Sequence, residues 1–130
     1  MTSRIEERIR LVRWEQYAGP EYFRPGDLVE ALIDLAMFDQ SRARHGLDNK
    51  VLFAVGNNHA GTYYPAILEA ADILIEIEQK SEVPASRKCA RAILNDLYYF
   101  SPEVGTYTGH SAEHIESFVR GRLKIYADEA

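Results

Sequence analysis

The sequence has only one cysteine and no long uninterrupted apolar run. Cys89 has no second cysteine to pair with, so an internal disulfide is excluded, as is a metal cage built of thiolates. The most apolar segment, residues 66–77, contains three acidic residues and is shorter than the roughly 20 residues of a membrane-spanning helix. Residues 1–7 are charged where a signal peptide would be apolar. These features predict a cytoplasmic protein with no membrane partner.

Basic side chains are outnumbered by acidic ones. The chain has 15 Lys and Arg against 20 Asp and Glu, a net charge of −5. Proteins that bind nucleic acid do so largely through Lys and Arg contacts to phosphate, so this balance argues against such a partner and favours a basic one. Hydrophobic residues at 46% and charged residues at 27% are typical of globular proteins, and 130 residues suit one core. We expect a single domain over residues 1–130.

Apolar residues recur at helical spacing along most of the chain, and no segment alternates strictly between apolar and polar residues. Capping residues, Pro and Gly mark the ends of the helical segments. Cys89 lies on one of the apolar faces, which predicts an inert core thiol rather than a reactive one. The fold class is therefore predicted to be all-α without strands, with helices over residues 4–17, 25–38, 50–55, 65–79, 84–100 and 112–126.

Two of the predicted helices belong to a repeat. Pro25 and Pro65 lie 40 positions apart; Pro65 directly follows two tyrosines, and Pro25 follows the pair Tyr22-Phe23 with one arginine between. At the same offset, apolar residues match in five places: Leu28 with Leu68, Ala31 with Ala71, Ile33 with Ile73, Leu35 with Ile75, and Met37 with Ile77. A period near 40 residues with two helices per unit is typical of helical solenoids, although an ordinary bundle can produce such matches by chance. The repeat predicts a short α-solenoid of about three stacked antiparallel helix pairs.

The segment after the third predicted helix carries a family resemblance. Its sequence over residues 57–66, Asn-Asn-His-Ala-Gly-Thr-Tyr-Tyr-Pro-Ala, followed by an aliphatic helix, resembles small bacterial proteins of the HEAT-like repeat type. Residues 14–22 are similar to the opening unit of those proteins, so the resemblance covers roughly residues 14–103. It implies a HEAT-like fold with no common catalytic set. Several such proteins look like immunity partners encoded beside bacterial toxins, which makes an immunity protein the leading interpretation.

Acidic residues form two lines that could serve such a role. Asp27, Glu30 and Asp34 follow steps of three and four residues along one predicted helix, and Glu69, Asp72 and Glu76 do so along another. If the two helices are equivalent repeat members, the lines lie side by side and attract a basic toxin domain, such as a nuclease, whose active or substrate-binding surface they would cover. The alternative is a solvated outer face. Together with the polar, aromatic-flanked loop, the predicted partner-binding residues are Glu30, Asp34, Asn58, His59, Tyr63, Glu69, Asp72 and Glu76.

Three histidines support a different interpretation. His110 and His114 are four residues apart, a spacing that can place two metal ligands on one helix face, and His59 could be a third ligand or a general base. A metal-dependent or histidine-based enzyme is therefore the alternative to a binding protein, and a generic helical scaffold is a further one. The expectation is a protein without enzymatic activity or cofactor that exists as a monomer or homodimer.

Overall fold

The computed structural model describes residues 4–17, 19, 23–37, 46–103 and 111–127. Helices account for 73% of these residues, which confirms the predicted all-α class at this level. Six α-helices and two short 3-10 helices are present in these ranges: α1 (Arg4–Leu11), a 3-10 turn (Trp14–Gln16), α2 (Pro25–Ala36), α3 (Leu47–Val55), α4 (Ile67–Lys80), α5 (Pro84–Tyr99), α6 (Ala112–Leu123) and a 3-10 turn (Lys124–Tyr126).

Several helix ends lie where the sequence signals place them. Pro25 and Pro84 begin α2 and α5, where the missing N–H of proline would have no intrahelical partner in any case. Ser111 caps α6, and its Oγ accepts a hydrogen bond from the His114 N–H at 3.0 Å. α3 ends directly before Gly56. Local chemistry is sufficient to set these boundaries.

Other boundaries differ from the prediction. α1 ends at Leu11 rather than Tyr17, and the chain then turns so that the Trp14 indole donates to the Ile9 carbonyl at 2.9 Å. Leu11, the last residue of α1, is 82% exposed instead of joining the core stripe. Pro65 lies in a turn that precedes α4 rather than at its first position. The first of these differences is accompanied by the burial of Trp14 against the end of α1.

The prediction of no strands is wrong. Three two-residue strands, β1 (Gly56–Asn57), β2 (Thr62–Tyr63) and β3 (Ser101–Pro102), form a small sheet in the order β1-β2-β3. β1 pairs antiparallel with β2, and β2 pairs parallel with β3. Two residues are too few to produce an alternating pattern, so hydrophobic periodicity could not detect them. The sheet joins the loop after α3 to the chain after α5.

The helices pack around one continuous core. α4 packs most extensively against α5, and α2 against α3, while α3 also contacts α5. α1 contacts α2 and α4, and α6 contacts α4 and α5. Buried Ser86 on α5 donates to the Leu35 carbonyl of α2 at 2.8 Å, which satisfies its hydroxyl inside the core. In the part of the chain described here, no helix combines the length and the apolar character needed to cross a bilayer.

Candidate functional site

The outward face of α3 brings together four of the residues that the sequence predicts to bind a partner. Its exposed side chains are those of Asn49, Lys50 and Phe53. Lys50 binds two carboxylates of α2, Asn49 binds Asn58, and Phe53 contacts His59. We call the resulting patch the α3 surface; it consists of Glu30, Asp34, Asn49, Lys50, Phe53, Asn58 and His59.

Two carboxylates share one ammonium group on this surface. Lys50 Nζ lies 2.6 Å from Asp34 Oδ2 and 3.1 Å from Glu30 Oε1. The hydrogen bond that Lys50 donates to Asp34 raises the pKa of Lys50; partial burial opposes this rise, and Glu30 adds to it. Lys50 therefore stays protonated at neutral pH, and the trio retains one negative charge. That residual charge favours a cationic group on a partner.

An aromatic pair lies beside this trio. The rings of Phe53 and His59 meet edge to face, with centroids 5.0 Å apart and planes at 67°. Phe53 remains 43% exposed, and His59 is exposed as well. Exposed aromatic rings that are held in place by a neighbour and surrounded by polar groups are common anchors in protein interfaces. The pair gives the α3 surface an apolar centre.

Hydrogen bonds within the turn after β1 hold His59 in position. The Asn57 side-chain oxygen accepts from the backbone N–H groups of His59 and Ala60 at 3.1 and 3.4 Å, an arrangement that stabilises tight turns. Asn58 Nδ2 donates to Asn49 Oδ1 at 2.9 Å, which ties the turn to α3. The Asn57 side chain thus satisfies two backbone N–H groups of the turn, and Asn58 links the turn to α3.

Local sequence explains why α3 presents this face. Its buried side is made of Val51, Leu52, Ala54 and Val55, which leaves Asn49, Lys50 and Phe53 on the opposite side. Gly56 then allows the chain to turn back closely, because a Cβ at that position would lie 2.0 Å from the Thr62 carbonyl oxygen. The close β1–β2 pairing returns His59 to the side of α3 that carries Phe53.

The acidic line of α4 lies apart from the α3 surface and is bound within the chain. Glu69 accepts from the Tyr17 hydroxyl at 3.3 Å, and burial followed by this carboxylate raises the pKa of Tyr17 to about 12. Asp72 pairs with Arg122 of α6 at 2.9 Å, and Glu76 pairs with Arg8 of α1 at 2.5 Å. The two acidic lines are therefore held by different elements, and the α4 line mainly connects α4 to its neighbours.

The prediction that Tyr63 contacts a partner is not compatible with its position. Its side chain is completely buried, and Tyr63 lies on β2, the central strand of the small sheet. Burial, with a smaller contribution from Glu116, raises the pKa of Tyr63 to about 12. Its hydroxyl has no hydrogen-bond partner among the described residues. Tyr63 is a core residue with an unsatisfied polar atom.

This unsatisfied hydroxyl leads to a stability prediction. Tyr63→Phe removes a buried group that makes no hydrogen bond, so we expect the free energy of unfolding to rise by about 1 kcal/mol. The matched change, Tyr126→Phe, removes a hydroxyl that donates to Glu78 at 2.8 Å and should lower it by about 1 kcal/mol. Urea unfolding of the two variants measures both values. A loss of stability in Tyr63→Phe equal to that in Tyr126→Phe would show that the Tyr63 hydroxyl is satisfied.

The histidines do not come together as a metal site in the described part of the chain. His110 lies outside the described residues, His114 is exposed in the first turn of α6, and His59 contacts Phe53. Among the residues that the structure describes, no group of three or more His, Cys, Asp or Glu is placed to hold a metal ion. The pair His110–His114 therefore stays a prediction.

Cys89 has the environment of an unreactive thiol. It is partly buried and packs against the core, and burial together with nearby Asp48 raises its pKa to about 11. Because the thiolate is the nucleophile, this rise lowers reactivity at neutral pH. The predicted position of Cys89 against the core is confirmed, with its side chain partly rather than fully buried.

Sequence reasoning missed the residues that assemble the α3 surface. The sequence predicts Lys50 and Phe53 in a short helix over residues 50–55, with Asn49 directly before it, and predicts no binding role for any of the three. A signal was present: Phe53 is the one large apolar residue of α3 that falls outside the stripe of Val51, Leu52 and Val55. An aromatic residue out of phase with the core stripe indicates an exposed ring.

Comparison with known proteins adds no relative: no family model matches the chain, and neither a curated protein nor a solved structure is significantly similar to it.

Proposed function

We propose that this protein is a protein-binding module that docks through its α3 surface onto a basic partner. The partner we propose is a bacterial toxin domain, such as a nuclease, and the protein would act as its immunity protein in the cytoplasm. The observation that carries the proposal is the exposed Phe53–His59 pair beside a carboxylate pair that Lys50 only partly neutralises. Residues 57–66 resemble small bacterial proteins of the HEAT-like repeat type, several of which look like immunity partners of toxins, and this resemblance supports the choice of partner.

Neutralisation would occur by occlusion. The excess negative charge of Glu30 and Asp34 attracts a cationic groove, which increases the rate of encounter. Phe53 and His59 then exclude water at the centre of the contact, which slows dissociation. A toxin that binds an anionic substrate exposes cationic groups around its active site, and these groups match the α3 surface.

We also propose that the helices form a short HEAT-like solenoid of about three stacked pairs. Two observations support this arrangement. The consecutive helices α2 and α3 pack together, as do α4 and α5, and α3 contacts α5 across the two pairs. The 40-residue offset between Pro25 and Pro65 is the offset expected if α2 and α4 are equivalent members of neighbouring repeats. In such a solenoid, α3 presents its outward face as part of an extended surface.

A growth-rescue experiment tests the proposed function. The C-terminal domain encoded by the gene immediately upstream is expressed in a bacterial host alone, with this protein, or with its Phe53→Ala/Glu30→Lys variant. We expect the domain alone to stop growth, the native protein to restore growth, and the variant to fail. The control variant Ile125→Ala/Glu113→Lys changes an exposed apolar residue and an exposed acidic residue elsewhere and should restore growth.

The outcomes separate the parts of the proposal. A domain that is harmless, or toxic but unaffected by this protein, contradicts the immunity function. Rescue by the native protein and by both variants contradicts the α3 surface as the binding site. Immunoblots of each variant confirm equal protein levels, so that a failed rescue reflects lost binding.

A further inference from the structure

An open trench between α1 and α4 lies away from the α3 surface. Its volume is about 610 Å³, and its α1 wall is formed by Arg4, Glu7, Arg8 and Leu11. Arg4, Glu7 and Leu11 are exposed, Leu11 to 82%. An aliphatic side chain this exposed at the edge of an open trench lacks the apolar contact that would remove it from water.

The order of residues along this wall makes it complementary to itself. The four residues of this wall are separated by three, one and three positions along the helix, so they lie on one face of α1. If a second α1 lies antiparallel with the two-fold axis between positions 7 and 8, each Glu7 faces Arg8 of the other copy. Arg4 then faces Leu11 of the other copy, where its methylene stem can cover the leucine while its guanidinium stays in water.

The charges around the trench permit this pairing. Neither Arg4 nor Glu7 forms an ion pair with another described residue. Arg8 binds Glu76 of its own chain, but its guanidinium has five N–H donors and can bind a second carboxylate. The trench as a whole contains as many arginines as glutamates, so two copies meet without net repulsion.

We propose that the trench and the α1 wall form an isologous contact between two copies of this chain. The two α1 helices run antiparallel. Glu7 of each copy pairs with Arg8 of the other, and at each end of the contact Leu11 of one copy packs against Arg4 of the other. Because α1 spans only eight residues, the contact is smaller than a standard interface, and the dimer is weak and dependent on concentration.

Sedimentation velocity of the full chain, from about 10 µM to about 1 mM, tests this proposal. We expect the sedimentation coefficient of the native protein to rise with concentration. Leu11→Asp should stay monomeric throughout, and Glu7→Arg should associate about tenfold more weakly because it places like charges opposite each other. Ile125→Asp, a change at an aliphatic residue that is 69% exposed elsewhere, should associate like the native protein.

A gain of affinity tests the register. Arg4→Leu places an aliphatic side chain against Leu11 of the second copy at both ends of the contact, so we expect about tenfold tighter association. The same change combined with Leu11→Asp should give a monomer. A native protein that remains monomeric at the highest concentration overturns the proposal, as does a Leu11→Asp variant that associates like the native protein. Unchanged association of Arg4→Leu overturns the antiparallel register.

Discussion

Gly56→Ala is expected to lower the free energy of unfolding by about 3 kcal/mol, the largest loss that we predict for a single methyl group in this protein. A Cβ at this position would lie 2.0 Å from the Thr62 carbonyl oxygen and 2.6 Å from the Tyr63 Cα. Both contacts are with backbone, so no side-chain rotation relieves them. The β1–β2 pair must open, and the hydrogen bonds of the pair are lost with it.

The same change at Gly121 is the matched control. Gly121 lies inside α6, and a Cβ there would meet no atom within 4 Å apart from the adjacent backbone of its own helix. Alanine is the better helix former, so we expect Gly121→Ala to raise the free energy of unfolding by about 0.5–1 kcal/mol. The two variants thus add the same methyl group and change stability in opposite directions.

Urea unfolding followed by tryptophan fluorescence measures both effects, because Trp14 is the only tryptophan and is buried. Gly56→Ala with native stability would show that β1 and β2 do not approach each other as closely as described here. Gly56→Ala is also expected to affect the α3 surface. Opening β1–β2 moves the turn that carries Asn58 and His59, so partner binding should weaken together with stability.

Local signals in the sequence predicted the helices well, but they did not predict the short strands between the helices. Pro84, Ser111 and Gly56 act through their own backbone or side chain, so their effects can be read one position at a time. β1 and β3 are strands only because they pair with β2, and Ser101 is far from Thr62 in sequence. The early end of α1 is accompanied by the burial of Trp14 against it.

The candidate site was predicted in fragments. Glu30, Asp34, Asn58 and His59 were selected for their charge or their loop composition, without a reason to expect them on one surface. What joins them is α3, through contacts made by Asn49, Lys50 and Phe53. For the acidic line of α4, the sequence predicted the helical spacing of the acidic residues correctly. It did not predict their cationic partners, Arg8 and Arg122, because these come from distant elements that helical periodicity does not reveal.

These contacts change how the electrostatic proposal is best tested. Reversing Asp72 and Glu76 would remove the partners of Arg122 and Arg8, so it would loosen α4 from α6 and α1 as well as change the surface charge. Glu30 is highly exposed and only shares Lys50 with Asp34, so Glu30→Lys changes the charge of the surface with less cost to packing. Substitutions on α2 therefore distinguish an effect of surface charge from an effect on folding more clearly than substitutions on α4.

Phe53→Ala is expected to weaken binding of the proposed toxin partner by about 100-fold, which corresponds to a loss of about 2.7 kcal/mol and is typical of a central aromatic anchor. The change removes the ring that supports His59 as well as the apolar centre of the α3 surface. Surface plasmon resonance of the two purified proteins should show the loss mainly as faster dissociation. Because the ring is 43% exposed, the stability of the free protein should fall much less than its affinity.

Glu30→Lys should change the association rate rather than the dissociation rate. It reverses one charge at the rim of the α3 surface, so association should slow and its dependence on salt should decrease, with little change in dissociation. Ile125→Ala and Glu113→Lys, which alter an exposed apolar residue and an exposed acidic residue outside this surface, should leave both rates unchanged. If Phe53→Ala and Ile125→Ala bind alike, Phe53 is not an anchor. If Glu30→Lys and Glu113→Lys associate alike, the excess charge held around Lys50 does not steer the partner.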